Sequence, residues 1–149
     1  GHPMAAGLSL PEENVEDFRR KLNENCSLTQ EDMTEKIVID VPMPMSYVTL
    51  PLIRQLSLLE PFGKGNTKPV FAQKDMKVLN FRVLGKNRNV VKMNLTDAYG
   101  FRAEGIWFGD GDAFAGRLQE KDKWDMIYYP SINYYMGRES IETIIQNIR

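Results

Sequence analysis

The sequence predicts an α+β protein that is mainly β, with a five-stranded barrel of the OB type in its C-terminal half. A small region of helix and strand precedes the barrel. Three observations predict this fold class. Apolar and polar residues alternate in successive segments after Pro69, which is the pattern of half-buried strands. Turns that contain glycine or asparagine separate these segments. The one helix expected among them falls between the third and fourth strands, as in an OB barrel.

The first predicted element is a helix from about residue 12 to residue 25. Pro11 suits the first turn of a helix, and the two acidic residues after it lie at the positive end of the helix dipole. Val15, Phe18 and Leu22 recur at helical spacing and form an apolar stripe. The stripe is too narrow to stabilise an isolated helix, so we expect it to pack on a sheet or on another part of the protein.

Three further elements are predicted before the barrel, the first of which is a short helix capped by Ser27 or Thr29. Residues 36–41 are rich in β-branched side chains and predict a strand that Pro42 ends. A second long helix is expected to begin at Thr49 and to end before Pro61. A glycine-rich loop over residues 62–66 follows that helix and leads towards the barrel.

The barrel itself is predicted from five strands and one short helix. Alternation in the first strand places Leu79 and Phe81 inward and Arg82 outward. Asp112 is expected to cap the helix, which runs to Leu118. The predicted strands are residues 76–84, 90–96, 101–107, 124–135 and 140–148.

The composition excludes several classes of function. No apolar run approaches the ~20 residues that span a bilayer, and we expect neither a membrane segment nor a signal peptide. Cys26 is the only cysteine, which excludes a disulfide scaffold and indicates a reducing, cytoplasmic setting. His2 is the only histidine, which excludes Ser-His-Asp catalysis on a second histidine and most histidine-dependent metal sites. We therefore expect no catalytic or metal-ligating residues in this chain.

A local basic segment is hidden within a net charge of −1. Residues 74–102 contain seven lysines and arginines and two aspartates, a net charge of +5. The flanking segments, residues 1–68 and 103–149, each carry −3. Such a strip favours contact with a polyanion, but a solvated sheet face explains the charge equally well.

Cations and tyrosines together favour single-stranded nucleic acid as the ligand, because such binders need positive charge for phosphates and flat side chains for bases. Alternation exposes one tyrosine of each adjacent pair, and we expect Tyr129 and Tyr135 to stack on bases. The hypothesis requires that the basic side chains share one side of the barrel and are free of carboxylate partners. The basic residues expected on the outward face, or on the hairpin loop beside it, are Arg82, Lys86, Arg88, Lys92 and Arg102.

Two segments resemble a known family. Residues 1–9 (GHPMAAGLS) resemble the Gly-Gly-His-x-x-Ala-Ala-Gly signature of the DHH-associated domain, which is found in phosphoesterases of the DHH superfamily. Residues 59–66 (LEPFGKGN), followed by PVF at 69–71, resemble the segment that joins that domain to the OB barrel in RecJ-type exonucleases of bacteria. The resemblance covers essentially the whole chain, as the C-terminal portion of such an enzyme.

The resemblance implies that the chemistry belongs to a domain outside this chain. RecJ-type enzymes degrade single-stranded DNA from 5′ to 3′ in repair and recombination, with two manganese or magnesium ions held in an N-terminal DHH domain. None of those metal motifs is present here, so we expect no cofactor and no enzymatic activity in this fragment. His2 matches the signature histidine, which in the superfamily helps to bind substrate phosphate beside the metals.

The sequence thus predicts three parts and one main function. Residues 1–42 are expected to be a remnant of the α/β DHH-associated domain, residues 43–68 a connecting helix and loop, and residues 69–149 the OB barrel. The barrel is expected to hold single-stranded DNA on its path to the missing catalytic domain. One alternative is a docking module for other domains of the parent enzyme or for the tail of a single-strand-binding protein. A second alternative, an intact phosphoesterase, predicts metal-dependent hydrolysis by this chain.

Overall fold

The computed structural model describes residues 5–34 and 36–149. The chain forms two compact units, residues 1–37 and residues 38–149. The division into three parts at residues 42 and 68 stays a prediction.

The first unit contains one short amphipathic helix. A single 3-10 turn, Glu12–Asn14, leads into α1, Val15–Glu24. Ion pairs on its surface join Arg19 to Glu16 and Arg20 to Glu24. Such exposed pairs stabilise a helix by only about 0.2–0.5 kcal/mol each. The predicted apolar stripe is present, but none of the ten residues of α1 is buried.

The second unit is a six-stranded sheet in which five strands close into a ring of hydrogen-bonded pairs. The strand order is β1-β2-β3-β4-β6-β5, and β2 also pairs with β5. The pairs within the ring are antiparallel except for β4 with β6. Five long strands in the order β-β-β-α-β-β confirm the predicted fold class, and the structure adds a sixth, two-residue strand. The elements are β1 (Val41–Pro42), α2 (Leu50–Ser57), β2 (Phe71–Leu84), β3 (Val90–Thr96), β4 (Arg102–Phe108), α3 (Gly111–Leu118), β5 (Lys123–Tyr135) and β6 (Arg138–Ile148).

The strand predicted at residues 36–41 is wrong for all but its last residue. Only Val41 and Pro42 pair with β2, in parallel. Asp40 fixes this junction, because its backbone N–H donates to the carbonyl of Val70 and its Oδ2 accepts from the N–H of Val70 at 2.8 Å. The N–H of Met43 still donates to the carbonyl of Ala72 at 2.9 Å, and the pairing ends at Pro44, which has no N–H and leads into the turn Met45–Tyr47. Strand propensity alone therefore predicted a strand that is longer than the one that forms.

Helix α2 begins at the predicted residue. Thr49 accepts a hydrogen bond at its Oγ1 from the N–H of Leu52 at 3.3 Å, as an N-cap residue does. Ile53 is the buried residue of the helix. On its exposed side, Arg54 donates to Glu139 of β6 at 2.5 Å, which fixes α2 to the strand pair β5–β6.

The core lies inside the ring and follows the two-residue period of the strands. In β3, Val91, Met93 and Leu95 are fully buried while Lys92 and Asn94 point outward. This alternation is the one predicted from the sequence. Residues of β2 and β4 that pair with these residues point to the same side as their partners in β3.

Tyr128 ties the segment before α2 to the ring. Its side chain is completely buried, and its hydroxyl donates to the carbonyl of Met43 at 2.8 Å. Burial raises the pKa of Tyr128 well above its ordinary value, so the hydroxyl keeps its proton and this hydrogen bond even in alkaline solution that ionises an exposed tyrosine.

Helix α3 packs on the core beside β2 and β3. The ring of Phe114 is buried and stacks on that of Trp107, with centroids 4.3 Å apart and planes 4° from parallel. The cap is Asp110 rather than the predicted Asp112: its Oδ1 accepts from the N–H groups of Asp112 and Ala113 at 3.1 and 3.0 Å. Asp112 is thereby left free to contact the β2–β3 loop.

Candidate nucleic-acid interface

Outward side chains of β2, β3 and β4 form a continuous surface, called here the outer face. Residues opposed across a sheet have Cβ atoms about 5 Å apart, so each set of partners forms a row. Cations lie in the two end rows, and two amides and a carboxylate lie between them. The rows are Arg82, Lys92 and Ile106; then Asn80, Asn94 and Glu104; then Lys77, Thr96 and Arg102.

A β-bulge in β2 decides which residues reach the outer face. The register with β3 shifts between Val78 and Asn80, so that Leu79 is the extra residue. One extra residue reverses the alternation, and Lys77 and Asn80 therefore lie on the same side. Leu79 was expected to point inward but is exposed. Lys77 is a basic residue of this face that the sequence analysis missed, because periodicity alone does not locate a bulge.

Two cations, Arg82 and Lys92, are directly opposed on the outer face. Lys92 is neutralised by Glu104, with Nζ 2.9 Å from Oε2. Glu142 of β6 lies close to the same pair: burial raises its pKa, the charge of Lys92 lowers it, and that of Glu104 raises it. Arg82 is exposed and has no ion-pair partner in the described part of the chain.

The loop between β2 and β3 holds one paired and one unpaired cation. Arg88 binds Asp112 through two hydrogen bonds of 2.7 and 2.6 Å, which keep the pKa of Asp112 below its usual range. Lys86 is exposed, and no carboxylate among residues 5–34 and 36–149 pairs with it. The expectation that all five cations are free is wrong for Arg88 and Lys92, because their carboxylate partners are distant in sequence. Within residues 5–34 and 36–149 it holds for the remaining three, Arg82, Lys86 and Arg102.

The exposure predicted for Tyr129 is wrong. Tyr128 and Tyr129 pair with consecutive residues of β6, Ile145 and Ile144, so their side chains point to opposite sides of the sheet, and Tyr129 is covered on its side by the loop that precedes β2. Tyr129 is only 6% exposed. The Nζ of Lys68 lies 4.2 Å from its ring centroid, and Phe62 contacts the ring edge-on at 6.3 Å. Its ring face is therefore occupied by the protein itself.

Tyr135 is exposed, at the tip of a hairpin in which β5 and β6 pair only with each other. Tyr134 and Tyr135 are each 68% exposed and Met136 is 85% exposed. The register is unbroken over this hairpin, so Tyr135 lies on the same side as Arg138 and Glu142. Glu142 is the carboxylate beside the outer face. Tyr135 and Arg138 therefore extend that surface, and Arg138 is a second cation that the sequence analysis missed.

A groove of about 650 Å³ opens where β4 and β6 separate. The two strands pair only over Gly105–Trp107 and Thr143–Ile145, and the groove lies beside their preceding residues. Its volume is within the range of small-ligand sites. Apolar residues such as Met45, Val48 and Phe101 form its walls. The polar residues that line it are Asn80, Asn94, Arg102, Glu104, Ser140 and Thr143.

Comparison with known proteins identifies the family. Residues 39–147, well over half of the chain, match the family model described as the RecJ OB domain. The chain belongs to the RecJ family. Its fold and strand order agree with this assignment, since the matched residues include the complete ring of strands.

Curated relatives of the RecJ family match nearly the full length of the chain. The single-stranded-DNA-specific exonuclease RecJ of Bacillus subtilis (strain 168) is 29% identical over 149 residues, 99% of this chain and 19% of that protein. The exonuclease of the same name from Escherichia coli (strain K12) is 26% identical over 157 residues, 99% of this chain and 26% of that protein. The chain thus spans about a fifth to a quarter of the length of these relatives.

Solved structures of RecJ share the fold. The crystal structure of RecJ in complex with Mg²⁺ from Thermus thermophilus aligns with a TM-score of 0.72 at 19% identity, over 95% of this chain and 21% of that one. The complex with Mn²⁺ from the same organism gives 0.71 at 20% identity, over 100% and 21%. At this identity the similarity is evidence of a common fold.

The remaining predictions for this RecJ-family chain concern metal, membrane and His2. Within residues 5–34 and 36–149, no group of three or more His, Cys, Asp or Glu side chains could hold a metal ion. None of the helices in those same residues is long and apolar enough to cross a membrane. His2 lies outside the described residues.

Proposed function

We propose that this chain is the non-catalytic, single-stranded-DNA-binding portion of a RecJ-type 5′-to-3′ exonuclease of DNA repair and recombination. The outer face and the β5–β6 hairpin hold the strand while another part of the parent protein cleaves it. Support comes from the names of the curated relatives, which are single-stranded-DNA-specific exonucleases, and from the family match of the OB domain.

The observation that carries this proposal is the unpaired Arg82 directly across from Lys92. Glu104 already neutralises Lys92, so Arg82 is the cation of this row that is left to bind a phosphate group. Lys77 and Arg102 lie two rows away on the same surface, and Lys86 lies on the adjoining loop. A flexible phosphate backbone can follow such separated cations, which is how sequence-independent binders hold single strands.

Tyr135 supplies the flat surface in this proposal. It is exposed, and it lies on the same side of the hairpin as Glu142. Glu142 in turn is next to the outer face. Stacking of a base on an aromatic side chain contributes about 1–3 kcal/mol. Tyr129 does not stack on a base in this proposal, because its ring is buried.

The nuclease chemistry of the parent is placed outside this chain. The relatives from Thermus thermophilus were solved with Mg²⁺ and Mn²⁺, and we infer that the parent uses such ions in its catalytic domain, in the cytoplasm. His2 would assist there by binding substrate phosphate. With Mn²⁺ added, we expect no hydrolysis of labelled DNA by this chain in a single-turnover assay. Release of nucleotides would favour the intact phosphoesterase instead.

Fluorescence anisotropy with a labelled single-stranded oligonucleotide tests the binding. Affinity should fall steeply as salt rises from about 50 to 200 mM, because bound phosphates release counterions. Arg82→Glu should weaken binding roughly tenfold at the lower salt concentration and reduce the salt slope by about one to two. Lys92 is the poorer target, since its charge is already neutralised by Glu104.

The matched control is Arg149→Glu, which makes the same change in net charge. Arg149 is exposed at the end of β6 and lies beside Asp125 of β5. This variant should bind within about twofold of the original chain, because its cation is not on the outer face. Absence of binding at about 50 mM salt, binding without a salt slope, or equal losses in both variants would refute the proposal.

The exposed hairpin tip supports a second candidate function, protein docking. Tyr134, Tyr135 and Met136 form an apolar tip of the size that a partner protein can cover. The partner would be another domain of the parent or the tail of a single-strand-binding protein. Arg82→Glu separates the two functions: a docking module keeps its partner in a pull-down with this variant, whereas DNA binding is lost.

A further inference from the structure

The groove between β4 and β6 contains the middle row of the outer face, whose chemistry differs from that of the two end rows. Glu104 uses Oε2 for Lys92, which leaves Oε1 as an acceptor. Asn94 donates to Asn80 Oδ1 at 2.7 Å, so that the pair still offers an amide donor and an amide acceptor to the groove. Apolar walls, including Met45, lie behind these groups.

A phosphate group is disfavoured beside Glu104 in this groove. Glu104 lines it, and Glu142 lies close enough to Glu104 for the two charges to repel. Arg102, which also lines the groove, belongs to an end row of the outer face, so a phosphate is better held beside Arg102, Arg82 or Lys86 than beside Glu104. A neutral, planar group with hydrogen-bonding edges suits the mixture of apolar walls and amides.

We propose, on the basis of the proposed single-strand binding, that this groove is a nucleobase pocket selective for bases with an exocyclic amino group, with Glu104 as the acceptor. A carboxylate is an acceptor only, and it accepts from the N4 amino group of cytosine. Thymine presents a carbonyl oxygen, O4, at the same position, which would face the carboxylate without a hydrogen bond.

Thr143 lies on the β6 side of the groove. It is only 2% exposed and lines the groove.

Binding of oligodeoxycytidine and oligodeoxythymidine tests the selectivity. Both are pyrimidine homopolymers, and oligomers of about 12 nucleotides match the site size of an OB domain. At about pH 8 and low salt, the intact chain should bind the cytidine oligomer roughly tenfold more tightly. Glu104→Gln should reduce that ratio to within about twofold, because a glutamine amide can also donate to O4 of thymine.

The ratio of the two affinities separates the base contact from general electrostatics. Loss of the charge of Glu104 also frees Lys92, but a freed cation strengthens the binding of both oligomers equally. Glu142→Gln is the matched control, since it removes a carboxylate near Lys92 that does not line the groove. It should strengthen binding of both oligomers and leave their ratio unchanged. Glu104→Ala should abolish the preference without adding a donor.

Two results would overturn the inference while single-strand binding stands. One is equal affinity of the intact chain for both oligomers, and the other is an unchanged ratio in Glu104→Gln. If neither oligomer shows salt-dependent binding to the intact chain, the proposed function itself fails, and the pocket fails with it.

Discussion

Gly111 marks the closest approach between α3 and the β2–β3 loop. Its N–H donates to the carbonyl of Arg88 at 3.0 Å. A Cβ at this position would collide with that carbonyl oxygen and would lie 2.8 Å from Cγ1 of Val83. The absence of a side chain therefore allows the loop that carries Lys86 and Arg88 to rest on the start of the helix.

Gly111→Ala should destabilise the protein by about 1–3 kcal/mol, because a backbone atom has to move to admit the methyl group. Gly116→Ala is the matched control in the same helix, since its Cβ would meet nothing within 4 Å. That substitution should stabilise the protein by about 0.5–1 kcal/mol, as expected for alanine replacing glycine in a helix. Urea denaturation measures both, and equal effects would contradict the proposed close approach.

Single residues also show how far the sequence determines the candidate site. The outward direction of Lys92 follows from the alternation in β3 and was predicted correctly. Its pairing with Glu104 depends on the β3–β4 register, and that of Arg88 with Asp112 on the approach of α3. Such contacts join residues far apart in the chain, and periodicity within one segment contains no information about them.

Among the elements, the β5–β6 hairpin offers the clearest test of the stacking contact. Tyr134 and Tyr135 are equally exposed neighbours, but the register places them on opposite sides. Tyr135 shares its side with Glu142, beside the outer face, whereas Tyr134 pairs with Glu139, the partner of Arg54 in α2. The two residues therefore form a natural pair of test and control.

Tyr135→Ala should weaken binding of a single-stranded oligonucleotide about fivefold or more, from the lost stacking. Tyr135→Phe should keep the affinity, because the aromatic face remains, and Tyr134→Ala should change it by less than about twofold. Anisotropy titrations at one salt concentration provide the comparison. Equal losses from both alanine variants would indicate that the hairpin acts without a preferred side.

The strands show which elements a sequence specifies locally. Strand β3 was predicted with the bounds it has, since its alternation is regular and both flanking turns contain glycine. The first five residues of β2 were missed, because the register with β5 shifts between Gln73 and Met76 and the alternation is lost there. Tyr129 was misplaced for a different reason, because Phe62 and Lys68 of the loop before β2 cover it, and alternation within β5 does not reveal such a contact. Regular segments were predictable, and bulged ones were not.

For the whole molecule, the order of elements was more predictable than the surface they build. Five strands and a helix in a fixed order define the OB ring, and local periodicity is sufficient to count them. The outer face depends on one bulge in β2, two ion pairs and the hairpin register. Those features arise only when the strands pair, and they set which cations remain free.

The two units should be separable, because each has its own contacts. The first contains a helix with no buried residue, and a helix of ten residues is marginally stable alone. The second begins at Val38 and includes the hydrogen bonds of Asp40 with Val70. A chain of residues 38–149 should therefore unfold cooperatively, with a Tm within about 4 °C of that of the full chain. Its affinity for a single-stranded oligonucleotide should be retained within about twofold.

A slightly longer deletion supplies the contrast. Removal of residues 1–45 also removes β1, the Asp40 contacts, the carbonyl that accepts from Tyr128, and the buried side chain of Met45. Loss of a buried methionine side chain alone costs about 2–5 kcal/mol, so the Tm should fall by roughly 8 °C or more. Calorimetry of the two shortened chains distinguishes these outcomes. Equal losses would show that the boundary at residue 38 is misplaced, since residues 1–37 would then stabilise the ring as strongly as residues 38–45 do.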